Sequence, residues 1–128
     1  MNRLRRLCIA LIICVFVIGF VNARDTEKLN AVKLDTYSDT FTRYLNKYTN
    51  SDYNMNLSEM KGDEIVKHRM VDNAHNNVSD WKWTQAGENE ACPTTKAYEG
   101  NQYALRMNRS AALPGSMIVY GVWSPDMN

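Results

Sequence analysis

Residues 63–75 read Asp-Glu-Ile-Val-Lys-His-Arg-Met-Val-Asp-Asn-Ala-His, and the fold class turns on the period of their apolar positions. Ile65, Val66 and Met70, continued by Arg69 and Asn73, follow one face of a helix. That helix is expected to start near Ser58 or Asp63, with Met60 ahead of Gly62, and to run to about Ala74. Asn76-Asn77 ends it.

A first helix is expected upstream. Leu34, Tyr37, Phe41, Tyr44, Leu45 and Tyr48 are separated by 3, 4, 3, 1 and 3 positions, which also fits a helix face. Ser38 or Asp39 would cap it. Thr36, Thr40 and Thr42 weigh against helix, because a β-branched side chain loses freedom there. Residues 24–33 are polar and read as loosely held, and residues 49–56 (TNSDYNMN) read as a loop.

The character changes after Val78. Trp81 and Trp83 alternate with polar neighbours, as on a strand with one wet face. Residues 85–96 form a polar segment, and Glu99-Gly100-Asn101 a turn. Tyr103, Leu105 and Met107 alternate with Gln102, Ala104, Arg106 and Asn108, the pattern of a half-buried strand. Pro114-Gly115 turns the chain into Ser116–Trp123 (SMIVYGVW), apolar on both faces and expected to be central or well covered. Helices first and strands after predict an α+β fold, with N-terminal helices followed by a small antiparallel sheet.

The N-terminus carries the plainest address. Arg3, Arg5 and Arg6 precede an apolar run from Leu7 to Val21, and Val21-Asn22-Ala23 follows the grammar of a cleavage site. The run is about 15 residues, short of the roughly 20 that a spanning helix needs, so an uncleaved anchor is the weaker reading. A lipoprotein reading at Cys14 fails on the bulky Ile13. Residues 1–23 are therefore expected to be a signal peptide and residues 24–128 a single secreted domain, extracellular, or periplasmic in a bacterium.

Removing Arg3, Arg5 and Arg6 from 15 basic side chains leaves 12 against 14 acidic ones, a formal charge of −2. Such a balance gives no footprint for nucleic acid or for an anionic membrane once the signal is gone. Leu, Ile, Val and Phe supply only about 14% of the mature part, below the usual globular level. Three tryptophans, seven tyrosines and six mature methionines must make up the core instead.

Cys92 is the only cysteine after residue 23, so no internal disulfide can form. Its context, Glu88-Asn89-Glu90-Ala91-Cys92-Pro93, reads as an acidic loop, which disfavours a reactive thiolate. An inert thiol or an intermolecular disulfide, hence a linked dimer, remains.

On the expected second helix, Glu64, His68, Asp72 and His75 are spaced 4, 4 and 3 and would share one face. Imidazole and carboxylate suit a first-row metal, or a general acid–base pair in a small hydrolase. The plainer reading is the solvated face opposite Ile65, Val66 and Met70, since the spacing matches no recognised zinc motif. Trp81 and Trp83 have two readings also: core, because aliphatics are scarce, or an aromatic platform for binding. Asn56, Asn77 and Asn108 each open an acceptor triplet for N-glycosylation, Asn77 in the best-placed connection. No nucleophile motif, Walker sequence or dinucleotide-binding glycine pattern occurs.

The functional expectation is a secreted glycoprotein that binds an extracellular protein or glycan, without catalysis and without cofactor. A hydrolase using His68, Asp72 and His75, with or without a metal, is the first alternative. A structural subunit joined through Cys92 is the second.

Export sets the first test. Intact-mass analysis of the exported protein should give a chain beginning at Arg24. A product that retains Leu7–Val21 would refute the signal reading.

Overall fold

The computed structural model describes residues 24–58 and 64–127. The signal segment, Met60 and Gly62, and the helix start at Asp63 lie outside them. Nine strands follow one another: β1 (Glu27–Asp35), β2 (Thr40–Phe41), β3 (Leu45–Asn46), β4 (Tyr53–Leu57), β5 (Ile65–Val71), β6 (Lys82–Gln85), β7 (Asn89–Cys92), β8 (Gln102–Ser110) and β9 (Ser116–Ser124). The described residues contain no helix, which corrects the α+β expectation to an all-β fold.

The strands form two antiparallel sheets. The first runs β1-β9-β4-β7; the second runs β2-β8-β5-β6, with β3 also pairing along β8. The chain changes sheet at β1–β2, β3–β4, β4–β5, β6–β7, β7–β8 and β8–β9. This is the strand order of a jelly roll, in which two Greek keys wrap one core.

Both expected helices dissolve for the same reason. From Ile65 to Met70 of β5 the buried positions are Val66, His68 and Met70, and the outer ones Ile65, Lys67 and Arg69; Val71, at the strand's end, is buried as well. That is a period of two, with histidine serving as an inward residue. The helix reading treated His68 as polar and therefore exposed. The stretch from Leu34 to Tyr48 holds the end of β1, a bend and the short strands β2 and β3. Leu34 and Leu45 are buried, whereas Tyr37 and Phe41 are exposed, so no apolar stripe exists. The expected loop at 49–56 contains most of β4, because Tyr53, Met55 and Leu57 face inward between two asparagines. The loosely held segment 24–33 contains most of β1.

One extra residue in β1 decides whether its C-terminal half reaches the core. Leu29 pairs with Gly121 and Val32 with Val119, so Asn30 and Ala31 together face Tyr120. This is a β-bulge. Leu29 and Leu34 are an odd number of residues apart, yet both are buried. Without the bulge, Leu34 would point to solvent. Ala31 takes the strained left-handed conformation that the bulge imposes, with φ of 52°.

The two expected C-terminal strands are present. β9 lies between β1 and β4, with Met117, Val119 and Trp123 inward. Gly121 is required there, because a Cβ would collide with the Asn56 carbonyl oxygen of the paired β4. On β8, Tyr103, Leu105 and Met107 face the core.

The core is built as the composition demands. Met55, Met70, Met107 and Met117 lie in it beside Tyr53, Tyr103 and Trp123. Methionine fills irregular gaps, so it suits a core short of branched aliphatics. The hydroxyl of Tyr103 accepts a 2.8 Å hydrogen bond from the Tyr98 N–H, so its polar end is satisfied.

The tryptophans divide. Trp123 is fully buried, whereas Trp83 is 53% exposed, which corrects the expectation of three core tryptophans. Trp123→Ala should lower stability by about 3–5 kcal/mol. Trp83→Ala should change it by only about 0.5 kcal/mol. Denaturant melts of both variants test this, and equal shifts would overturn the assignment.

Candidate ligand-binding face

Because Val66, His68 and Met70 turn inward, Lys67 and Arg69 must turn outward. Their cross-strand neighbours extend the outer face of the second sheet. Arg69 pairs with Arg106 of β8, and Lys67 lies between Asn108 of β8 and Trp83 of β6. Phe41 of β2 pairs with Arg106 on its other side. Trp81 sits just before β6 and receives the cations. The Lys67 ammonium is 4.4 Å from its ring centroid and 5.8 Å from that of Trp83. The guanidinium carbons of Arg69 and Arg106 are 4.7 and 5.6 Å from the Trp81 centroid. Such contacts hold a cation over the electron-rich face of indole.

Three cations and two indoles therefore share one patch, in which Trp83 is exposed and the other four residues are half-buried. A single carboxylate, Asp39, pairs with them among the described residues, bonding the Arg106 guanidinium at 2.6 Å. Burial alone would raise the Asp39 pKa. Hydrogen bonds from Asn108 and Arg106, with the charges of Arg106 and Lys67, outweigh it and hold the carboxyl below its usual range. Arg69 is fixed by the backbone: its Nε and Nη2 donate to the Ser79 carbonyl at 3.2 and 2.9 Å. Lys67 makes no ion pair among the described residues. His75 stacks on Phe41 at 4.3 Å between centroids, and Tyr44 lies nearly parallel to it at 6.3 Å. The aromatic margin of the face thus continues past the sheet edge.

The residues expected to share a helix face are dispersed. His68 is fully buried between the sheets. Its Nδ1 is 2.9 Å from the Tyr53 hydroxyl and its Nε2 2.7 Å from Thr84 Oγ1. Thr84 Oγ1 in turn donates to Glu90 Oε2 at 3.3 Å. One direction satisfies every group: Tyr53 donates to Nδ1, and Nε2–H donates to Thr84. Burial, then the nearby Lys82 ammonium, lowers the His68 pKa to about 4, so the ring is neutral. Glu64 lies 3.7 Å from the Arg109 guanidinium. Asp72 accepts the Asn76 and Ala74 N–H groups, each at 2.9 Å, and closes a turn. His75 belongs to that turn. Among the described residues, no three His, Cys, Asp or Glu side chains gather as a metal site.

Cys92 is a strand residue and not a loop residue, which is a further correction. It ends β7, pairs with Tyr53 of β4 and is fully buried. Burial is the main cause that pushes its thiol up to about 11. A disulfide to another chain would require the β7 edge to open first. Of the glycosylation acceptors, Asn56 and Asn77 are exposed. Asn108 is half-buried on the cationic face, where its side-chain nitrogen donates to Asp39 at 2.9 Å.

Sequence reasoning found Trp81 and Trp83 but missed Lys67, Arg69, Arg106 and Asp39. Strand parity was the signal that would have found the first two. Only the pairing of β5 with β8 brings in the others. Compared with known proteins, the chain matches no family model, no curated protein and no solved structure.

The buried imidazole carries a pH prediction. An unfolded histidine titrates near 6.5 and His68 near 4, so the unfolded chain binds the proton first. Its contribution is complete above pH 6.5 and is lost as the pH falls toward 4. The loss should reach about 3 kcal/mol. Chemical denaturation across this window should show that slope, and His68→Gln should remove it. A wild-type stability flat from pH 7 to about 4 would refute the buried neutral ring.

Proposed function

We propose that this is a secreted binding protein that recognises an extracellular ligand, a glycan or a protein, on the outer face of its second sheet, without catalysing a reaction. The observation that supports this reading is Trp83, 53% exposed beside Trp81 on a strand surface that also presents Lys67, Arg69 and Arg106. A large exposed aromatic in a domain short of core material is informative, because burying it would have stabilised the fold. Tryptophan and arginine are also the residues that most often anchor a binding interface.

The groups available for catalysis fit this reading. His68 and Cys92 are both buried and held neutral by their surroundings. His75 is engaged with Phe41 and Tyr44. The fold itself is not an argument, since jelly rolls carry many functions.

Labelled protein on a mixed array of extracellular glycans and protein domains provides the test. Wild type should bind at least one class, and Trp83→Ala should lose that binding while keeping its denaturation midpoint. Retained binding in a folded Trp83→Ala variant would place recognition elsewhere.

A further inference from the structure

The arrangement of charge and ring on this face identifies what it would bind. This inference rests on the binding reading above and specifies its ligand. Arg69 and Arg106 are directly opposite each other on paired strands. Like charges in that position oppose sheet formation. Asp39 bonds Arg106 at 2.6 Å and feels the charge of Lys67, one carboxylate against three cations among the described residues. Arg69 spends two donors on the Ser79 carbonyl, which neutralises nothing. Lys67 makes no ion pair among the described residues and lies beside the faces of Trp81 and Trp83. The patch therefore holds more positive charge than its one paired carboxylate compensates among the described residues, on the half-buried outer face of paired strands.

Cations and rings also lie together: Lys67, Arg69 and Arg106 all approach Trp81, and Lys67 approaches Trp83 too. Trp81 and Trp83 are two positions apart in sequence, roughly 7 Å along an extended chain. The Lys67 ammonium lies between them, at 4.4 and 5.8 Å from the two centroids. A polymer of pyranose rings that bear acidic groups offers the complementary pattern. Its C–H faces can stack on indole, and its sulfates or carboxylates can meet Lys67 and Arg69. An acidic peptide supplies the charges but no flat apolar ring for the tryptophans. A neutral glycan supplies the rings but leaves the cations unanswered.

The geometry points to an acidic glycan, carrying sulfate or carboxylate groups, as the ligand of the Trp81–Lys67–Arg69–Trp83 face. The acidic group would sit against Lys67 and Arg69 and a sugar ring on Trp83. Arg106, already paired with Asp39, adds field and not a free donor pair. Binding of this kind weakens with salt, because screening acts strongly on exposed charges.

The test uses the exported chain with heparin oligosaccharides, their desulfated and carboxyl-reduced counterparts, and polyglutamate. Tryptophan fluorescence reports binding, because both indoles lie in the site. Heparin should shift the emission, and the effect should vanish near about 1 M salt, where the screening length is about 3 Å. Lys67→Gln and Arg69→Gln should each weaken binding about tenfold, the loss of one charge-assisted hydrogen bond. Lys33→Gln, on β1 of the other sheet, should leave it unchanged. Equal binding of the desulfated, carboxyl-reduced oligosaccharide, which carries no acidic group, would overturn the inference. So would binding that survives Lys67→Gln and Arg69→Gln but fails in Trp83→Ala, and that outcome would leave the binding face itself standing. Polyglutamate bound as well as heparin would overturn it in favour of an acidic protein partner. Absence of heparin binding also overturns it, whereas the array with Trp83→Ala decides the broader reading.

Discussion

A hydrogen-bonded chain through the middle of the sandwich decides which way β5 faces. Tyr53 of the first sheet, His68 of β5 and Thr84 of β6 join the two layers at 2.9 and 2.7 Å. An imidazole without partners would be costly in this apolar setting. With both nitrogens satisfied, it specifies one register, because a slip of a single residue would expose the ring and bury Lys67 and Arg69. The charged outer face is thus a consequence of a buried neutral group. Structure and candidate function are two sides of one strand.

The rest of the sandwich is closed by a second polar device. The Lys47 ammonium and the Asp126 carboxylate are both buried and lie 3.2 Å apart. Lys47 also donates to the carbonyls of Ser51 and Pro125, and Asp126 accepts the N–H groups of Tyr48 and Thr49. Burial works against the Asp126 charge, but these hydrogen bonds and Lys47 prevail and keep its pKa low. A buried pair is weak evidence of net stability, since desolvation offsets the attraction. Here its geometry ties the segment after β9 to the connection between β3 and β4. That connection leads into β4, whose Tyr53 begins the central hydrogen-bonded chain.

The correct strands were legible where alternation was written in ordinary hydrophobic residues. Tyr103, Leu105 and Met107 are such a case, and Ser116–Trp123 is another. Misreadings arose where a polar residue took an inward position. His68 made β5 look like a helix, and the asparagines around Met55 made β4 look like a loop. Cys92 was misplaced for a related reason: Glu90, two residues before it and on the same side of β7, is a half-buried carboxylate that accepts from the Thr84 hydroxyl, so an inward polar residue again made a strand look like a loop. At Leu34 the bulge shifts parity by one, so no fixed period runs through β1. Trp81 and Trp83 were found as a pair, but their setting was not. A sequence shows that two tryptophans are near each other and not whether the core has room for them.

By itself, the sequence determined composition and its consequences. An aliphatic-poor chain had to use methionine, tyrosine and tryptophan as core, and Met55, Met70, Tyr53, Tyr103 and Trp123 do so. A lone cysteine after residue 23 ruled out a disulfide within residues 24–128. These statements concern residue type, which needs no partner. Tertiary structure alone decided partnership. Lys67 and Trp83, Arg69 and Arg106, and Tyr53 and His68 are between 15 and 37 positions apart, and each pair meets only because particular strands are neighbours. Local periodicity reports which face a residue occupies. Which residue lies opposite is set by the order of strands in the sheet, and that order is a property of the whole chain.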